Sequence, residues 1–117
     1  MEAKASHRLA RVSARKARLV ADLIRNRQVG EVLELLTFVE KKSAGFLRAV
    51  VESAVANAEH QAERENKRVD VDTLYVKEVT VDQGPSLRRF RPRARGMATK
   101  VLKKTSHITV VLGGGEV

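Results

Sequence analysis

The chain has 117 residues, and its 23 Lys and Arg against 14 Asp and Glu give a net charge of +9. One Tyr and three Phe are its only aromatic residues, so a domain of this size is predicted to have an aliphatic core. The sequence has no cysteine, which excludes disulfides and thiolate chemistry. No run approaches the roughly 18 apolar residues of a membrane span. Residues 1–11 are polar and basic, so we expect no secretory leader and a cytoplasmic location.

The charge is concentrated at the two ends of the chain. Residues 1–18 carry +5 and residues 83–117 carry +7, whereas residues 19–82 carry −3. No carboxylate occurs between Gln83 and Leu112. Because like charges at this density repel one another, the two basic ends predict a polyanionic partner.

The first part of the chain predicts a strand followed by a helix. Residues 3–12 alternate weakly and are predicted to form a strand. Ser13 is a plausible N-cap for a helix that runs to about Arg25, and Asn26 suits its end. Small and aliphatic residues at helical spacing between positions 17 and 24 predict its buried side.

Two more helices are predicted in the middle of the chain. The first lies near Gly30–Leu36, with Glu31 and Glu34 at its start, where the helix dipole favours acids. The second spans about Lys41–Ala62 and repeats small and aliphatic residues at helical spacing. The polar run 63–68 is predicted to be a loop.

Strand patterns fill most of the remaining sequence. Val69–Asp82 is rich in Val, Thr and Tyr, and Ser106–Leu112 alternates as a half-buried strand does. Between them, five arginines fall within residues 88–95, which is incompatible with burial in a core. The simplest interpretation is a long basic β-hairpin, at about residues 80–105, whose far half leaves the domain.

These patterns together predict an α+β fold. We expect three helices packed on a small antiparallel three-stranded sheet, with a long protruding β-hairpin. The whole chain, 1–117, is predicted to be a single domain.

Catalytic patterns are weak. Ser13 and Lys16 match the S-x-x-K pattern of serine acyltransferases, but the partner motifs of those enzymes do not occur. His7, His60 and His107 do not have the spacing of a zinc site. The sequence therefore predicts no enzyme activity, no metal, no cofactor and no small-molecule substrate.

Nucleic-acid binding has better physical support. The planar guanidinium group of arginine matches phosphate oxygens, and binding of this kind depends strongly on salt. Phe90 is the one aromatic residue among the arginines, which disfavours a base-stacking platform. RNA recognised by its shape and backbone is the preferred interpretation.

Two other functions stay open at this point. The first two helices could form a DNA-binding helix-turn-helix, although Glu31 and Glu34 are unsuited to a helix that faces DNA. A free RNA chaperone is the other alternative, and it predicts weak and unselective binding.

Four segments carry a resemblance to a known family. They are RVSARKARLVADLIR (11–25), ESAVANAEH (52–60), VDQGPSLRRFRPRARG (81–96) and KKTSHITVVL (103–112). Together they resemble the bacterial L-twenty-two family of large-subunit ribosomal proteins over essentially the whole chain.

The resemblance implies a structural protein of the large ribosomal subunit. Its domain would lie near the exit of the peptide tunnel, and its hairpin would line the tunnel wall beside the nascent peptide. It would contact several domains of 23S-type ribosomal RNA, border neighbouring ribosomal proteins and act early in assembly.

Charge and resemblance together give the expected site residues. The expected tunnel-wall tip comprises Leu87, Arg88, Arg89, Phe90, Arg91 and Pro92. The expected RNA-binding residues are Lys4, Arg8, Arg11, Ser13, Arg15, Lys16, Arg18, Arg25, Arg88, Arg89, Arg91, Arg93, Arg95, Lys100, Lys103, Lys104 and His107.

Overall fold

The computed structural model describes residues 1–92 and 98–115, with strand residues 87–92 and 98–102 described through their backbone. The predicted α+β class is confirmed, because three helices pack on a three-stranded antiparallel sheet. The helices are α1 (Ala14–Ile24), α2 (Val29–Phe38) and α3 (Lys42–Arg64). The strands are β1 (Glu2–Ala10), β2 (Tyr75–Gln83), β3 (Leu87–Pro92), β4 (Ala98–Lys103) and β5 (Ser106–Gly113).

β5 is the central strand of the main sheet, whose order is β1-β5-β2. Val110 lies opposite Ala5 of β1 and Val79 of β2, and all three are buried. Ile108 and Leu112, at alternate positions of β5, are buried as well. The alternation predicted for this strand is therefore confirmed.

α1 begins and ends where its sequence predicts. The Ser13 Oγ accepts a hydrogen bond from the Lys16 backbone N–H at 3.3 Å, which satisfies one of the free amides of the first turn. Asn26 ends the helix in the left-handed region, with a φ of 65°. The apolar side of α1, including Val20 and Ile24, is buried.

α3 is the longest helix and packs against β1. Its residues Leu47, Val51 and Ala54 have no exposed surface, and the small alanines on the same side allow close approach to the sheet. Asn57 Nδ2 also donates a hydrogen bond to the Lys4 carbonyl oxygen, at 2.9 Å.

Two predicted boundaries were wrong. The loop predicted from residue 63 starts later, because α3 continues through Arg64. The strand predicted from Val69 starts at Tyr75, because residues 71–73 form a short 3₁₀ turn. Asp70 caps that turn by accepting a hydrogen bond from the Asp72 N–H at 3.0 Å.

The core is aliphatic, as the composition predicts. Its largest fully buried side chains include Ile24, Leu47, Leu74 and Ile108. Phe38, by contrast, is 76% exposed at the end of α2. Packing in this domain therefore rests on branched side chains and alanines.

β3 and β4 pair with each other in a separate two-stranded antiparallel sheet, which we call the arm. The paired positions run from Leu87 opposite Lys103 to Pro92 opposite Ala98. The structure measures 67 × 27 × 17 Å, and its radius of gyration is 17.5 Å. A compact chain of this length would have a radius of gyration of about 13 Å, so the molecule is elongated.

Gly84 lies where the arm joins the domain. Its N–H donates to the Thr105 carbonyl oxygen at 2.9 Å, and the Thr105 hydroxyl donates to the Pro85 carbonyl oxygen. A Cβ at position 84 would lie 2.7 Å from the Thr105 Oγ1. A side chain at position 84 would therefore displace the Thr105 hydroxyl, which favours glycine at the base of the arm.

Candidate nucleic-acid interface

A groove of about 720 Å³ lies where the β1–α1 connection, the start of α3 and the end of β4 meet. We call it the basic groove, because six of its ten lining residues are cations and none of them is acidic. The cations are Arg11, Lys16, Lys41, Lys42, Lys103 and Lys104. The other lining residues are Val12, Ser13, Leu19 and Ser43.

The positive charge of the basic groove is not balanced within the part of the chain that the structure describes. None of its six cations makes an ion pair with a described carboxylate; pairs such as Arg27–Glu31 and Arg48–Glu52 lie elsewhere. α1 and α3 both begin at this groove, so the positive ends of two helix dipoles add to its potential. Such a site attracts anions.

The local folding of the chain explains why these cations meet. The buried hydroxyl of Ser106, at the start of β5, donates to the Val12 carbonyl oxygen at 2.6 Å. This hydrogen bond joins the β1–α1 connection to the chain just after β4. Arg11 is therefore held near Lys103 and Lys104, which are more than 90 residues away in sequence.

The structure brings together five of the expected RNA-binding residues, namely Arg11, Ser13, Lys16, Lys103 and Lys104. Sequence reasoning missed Lys41 and Lys42, which come from the start of α3. They lie in the net acidic part of the chain, and this hid them in the charge profile. The signal that could have found them is two adjacent lysines at a predicted helix N-terminus, where cations oppose the helix dipole.

Two expected RNA-binding arginines, Arg18 of α1 and Arg25 directly after it, also contact the protein. Arg18 Nε donates to the Val81 carbonyl oxygen at 3.0 Å. Arg25 donates to the Val79 carbonyl oxygen at 2.8 Å and to Asp22 at 2.6 Å. Because β2 is an edge strand, one of its sides has no neighbouring strand. These guanidinium groups donate hydrogen bonds to carbonyl oxygens of that strand. Arg15 is exposed on the same helix and makes no such contact among the described residues.

Lys4 and Arg8 are exposed on β1 but do not line the basic groove. Lys4 borders a smaller cavity of about 520 Å³ together with His60 and Arg64 of α3. Arg8 borders another, of about 320 Å³, with Ser53. The structure therefore does not gather all the expected cations into one site.

His107 lies on β5 near the base of the arm. Its Nδ1 accepts a hydrogen bond from the Leu9 N–H at 3.1 Å. Leu9 reaches this position in the left-handed region, with a φ of 59°, at an irregularity of β1. In the neutral ring this contact places the proton on Nε2, leaving a directed donor beside Gly84.

The remaining expected residues belong to the arm or to the segment between its two strands in the sequence. Leu87 and Pro92 are the ends of β3, which also holds Arg88, Arg89, Phe90 and Arg91. Phe90 lies opposite Lys100 of β4, and Arg91 lies opposite Thr99. Arg93 and Arg95 lie outside the described residues.

The geometry disfavours the helix-turn-helix alternative. The connection between α1 and α2 is bound to the start of β2, through Asn26 N–H to the Val76 carbonyl at 2.8 Å and Val29 N–H to the Leu74 carbonyl at 2.9 Å. α2 exposes Glu31 and presents no cation. A helix with this surface would be repelled by phosphates.

An exposed ion pair lies at the opposite end of β1 from the basic groove. Lys77 donates to the Glu2 carboxylate across the sheet. This hydrogen bond lowers the pKa of Glu2 and raises the pKa of Lys77, each from its ordinary value.

Residues 1–92 and 98–115 contain no group of three or more metal-ligating side chains. No described helix is long and apolar enough to span a membrane.

Comparison with known proteins agrees with this geometry. The family model described as "Ribosomal protein L22p/L17e" matches residues 5–113. A curated relative from Bdellovibrio bacteriovorus, "Large ribosomal subunit protein uL22", is 60% identical over 112 residues, which cover 96% of this chain and 97% of the relative. The chain therefore belongs to the L22p/L17e family of ribosomal proteins, the uL22 proteins of the large subunit.

Proposed function

We propose that this chain is a structural constituent of the large ribosomal subunit that binds large-subunit ribosomal RNA through the basic groove and the arm. The observation that carries the proposal is the basic groove, which lies at the start of two helices and whose six cations pair with no described carboxylate. A polyanion with closely spaced phosphates is the partner that relieves this repulsion. The family is one of structural ribosomal proteins, and catalysis forms no part of the proposal.

The position within the subunit is also proposed. The domain would lie near the exit of the peptide tunnel, and the arm would line the tunnel wall, with residues 87–92 beside the nascent peptide. The molecule is elongated, and among the described residues the two strands of the arm pair only with each other. This supports the position, because a two-stranded ribbon needs a surface to lie against. We also propose that residues 1–117 form one domain, of which about residues 80–105 are an extended basic β-hairpin.

We further propose that the protein lies in the ribosome in the cytoplasm, borders other large-subunit proteins and assists early assembly. The basic groove joins the β1–α1 connection, α3 and β4, so RNA bound there would hold distant parts of the chain together. Binding of this kind would order protein and RNA at the same step.

Competition binding tests the proposal. Labelled large-subunit ribosomal RNA is bound at raised salt and challenged with an excess of small-subunit RNA or duplex DNA. We expect the large-subunit complex to survive both competitors. Equal displacement by duplex DNA would contradict the proposal and return the DNA-binding and chaperone alternatives.

A further inference from the structure

Leu19 is an apolar residue at the edge of a strongly basic site. It lies on α1, is 56% exposed, and lines the basic groove together with Lys16, Lys41 and Lys42. A phosphate group satisfies the lysines but offers no apolar surface to a leucine. A ligand that contacts both the lysines and Leu19 would therefore carry a negative charge and a flat or apolar face.

The size of the groove also indicates a ligand larger than a single phosphate. About 720 Å³ is within the range of sites that hold a whole small molecule, and exceeds what one phosphate needs. Paired RNA presents phosphates and riboses outward while its bases stay stacked inside. An unpaired nucleotide presents a phosphate and a base face together.

We propose that the basic groove binds an unpaired nucleotide of the ribosomal RNA. Its phosphate lies among the lysines at the start of α3, and the face of its base covers Leu19. This inference rests on the proposed function, because it names which element of the RNA enters that site. The contact therefore selects an unpaired nucleotide.

Crosslinking tests the proposal at a single residue. Because the chain has no cysteine, Leu19→Cys provides a unique thiol for a photo-crosslinker. Leu23→Cys is the matched control, since Leu23 lies one turn further along α1, is 46% exposed and does not line the groove. Each labelled full-length chain is bound to large-subunit ribosomal RNA, and crosslinks are mapped by primer extension.

We expect position 19 to crosslink to a nucleotide that 2′-hydroxyl acylation reports as unpaired. Position 23 should not crosslink to that nucleotide. Crosslinks from position 19 that fall only within continuous helices would overturn the proposal. Circular dichroism of each variant checks that it has folded.

Affinity gives an independent measurement. Leu19→Ser should weaken binding about five- to tenfold with an unchanged salt dependence, whereas Leu23→Ser should change it by about twofold or less. Lys42→Gln should lower the slope of log K against log salt by about 1. Equal losses of RNA affinity in the two leucine variants would overturn this inference but not the proposed function. Failure of the unmodified chain to select large-subunit RNA would overturn the proposed function as well.

Discussion

The edge of β2 and the basic groove both contain cationic side chains, but these side chains make different contacts in the two regions. At the β2 edge, Arg18 and Arg25 donate to backbone carbonyls and complete the fold. In the basic groove, six cations meet without a described carboxylate. The cations therefore stabilise the fold in one region, and in the other they have no carboxylate partner among the described residues.

The largest expected effect comes from removing the core that both regions share. Leu47→Ala should cost about 2–5 kcal/mol of unfolding free energy, because Leu47 is fully buried between α3 and its neighbours. Urea unfolding measures this. Leu23→Ala, at an exposed position of α1, is the control and should change stability little. Equal losses in the two variants would contradict the assigned core.

The link between the core and the basic groove should give the next largest effect. Ser106→Ala removes the buried donor to the Val12 carbonyl and should cost about 1–3 kcal/mol, because that oxygen is left unpaired. Urea unfolding should detect the loss, and RNA affinity should fall as Arg11 moves away from Lys103 and Lys104. Stability equal to that of the unmodified chain would rule out this link.

Arg25, which follows α1, and Arg15 of α1 allow the structural role of an arginine to be compared with that of an arginine without a described partner. Arg25→Ala should cost about 1 kcal/mol of stability, because Arg25 is partly exposed and its hydrogen bond to Val79 is partly replaced by water. Arg15→Ala should leave stability unchanged, since Arg15 has no described partner on the protein. Thermal unfolding of both variants tests this, and the same loss in each would remove the distinction.

The smallest effect concerns the ion pair of Glu2 and Lys77. Since pairing lowers the pKa of Glu2, its contribution to stability is present above the carboxylate's ordinary pKa and is lost as the pH falls through the lowered pKa of the folded state. Since pairing raises the pKa of Lys77, its contribution is lost only as the pH rises above the ordinary lysine range. Glu2→Gln should therefore flatten the acid limb of a stability-against-pH curve slightly. An acid limb identical to that of the unmodified chain would argue against the pair.

Much of this fold could be predicted from sequence because its signals are local. The Ser13 cap, the apolar side of α1 and the alternation of β5 each lie within one element, and all are confirmed. The 3₁₀ turn at residues 71–73 was missed because an Asp70 cap outweighs the strand propensity of valine and threonine.

The candidate site was only partly predictable, since it depends on contacts between distant elements. The charge profile located Lys103 and Lys104, but it could not show that Lys41 and Lys42 would join them. It also could not show that Arg18 and Arg25 would donate hydrogen bonds to carbonyls of β2. Which strand would be an edge is a property of the assembled sheet.

The most direct test of the two uses of cations is a paired measurement on Lys41→Gln/Lys42→Gln. We expect the free energy of unfolding to stay within about 0.5 kcal/mol of the unmodified chain, as for exposed positions without partners. The salt dependence of binding to large-subunit ribosomal RNA should fall by about 1 for each lysine removed. A clear loss of stability with an unchanged salt dependence would contradict the account, because it would make these lysines part of the fold.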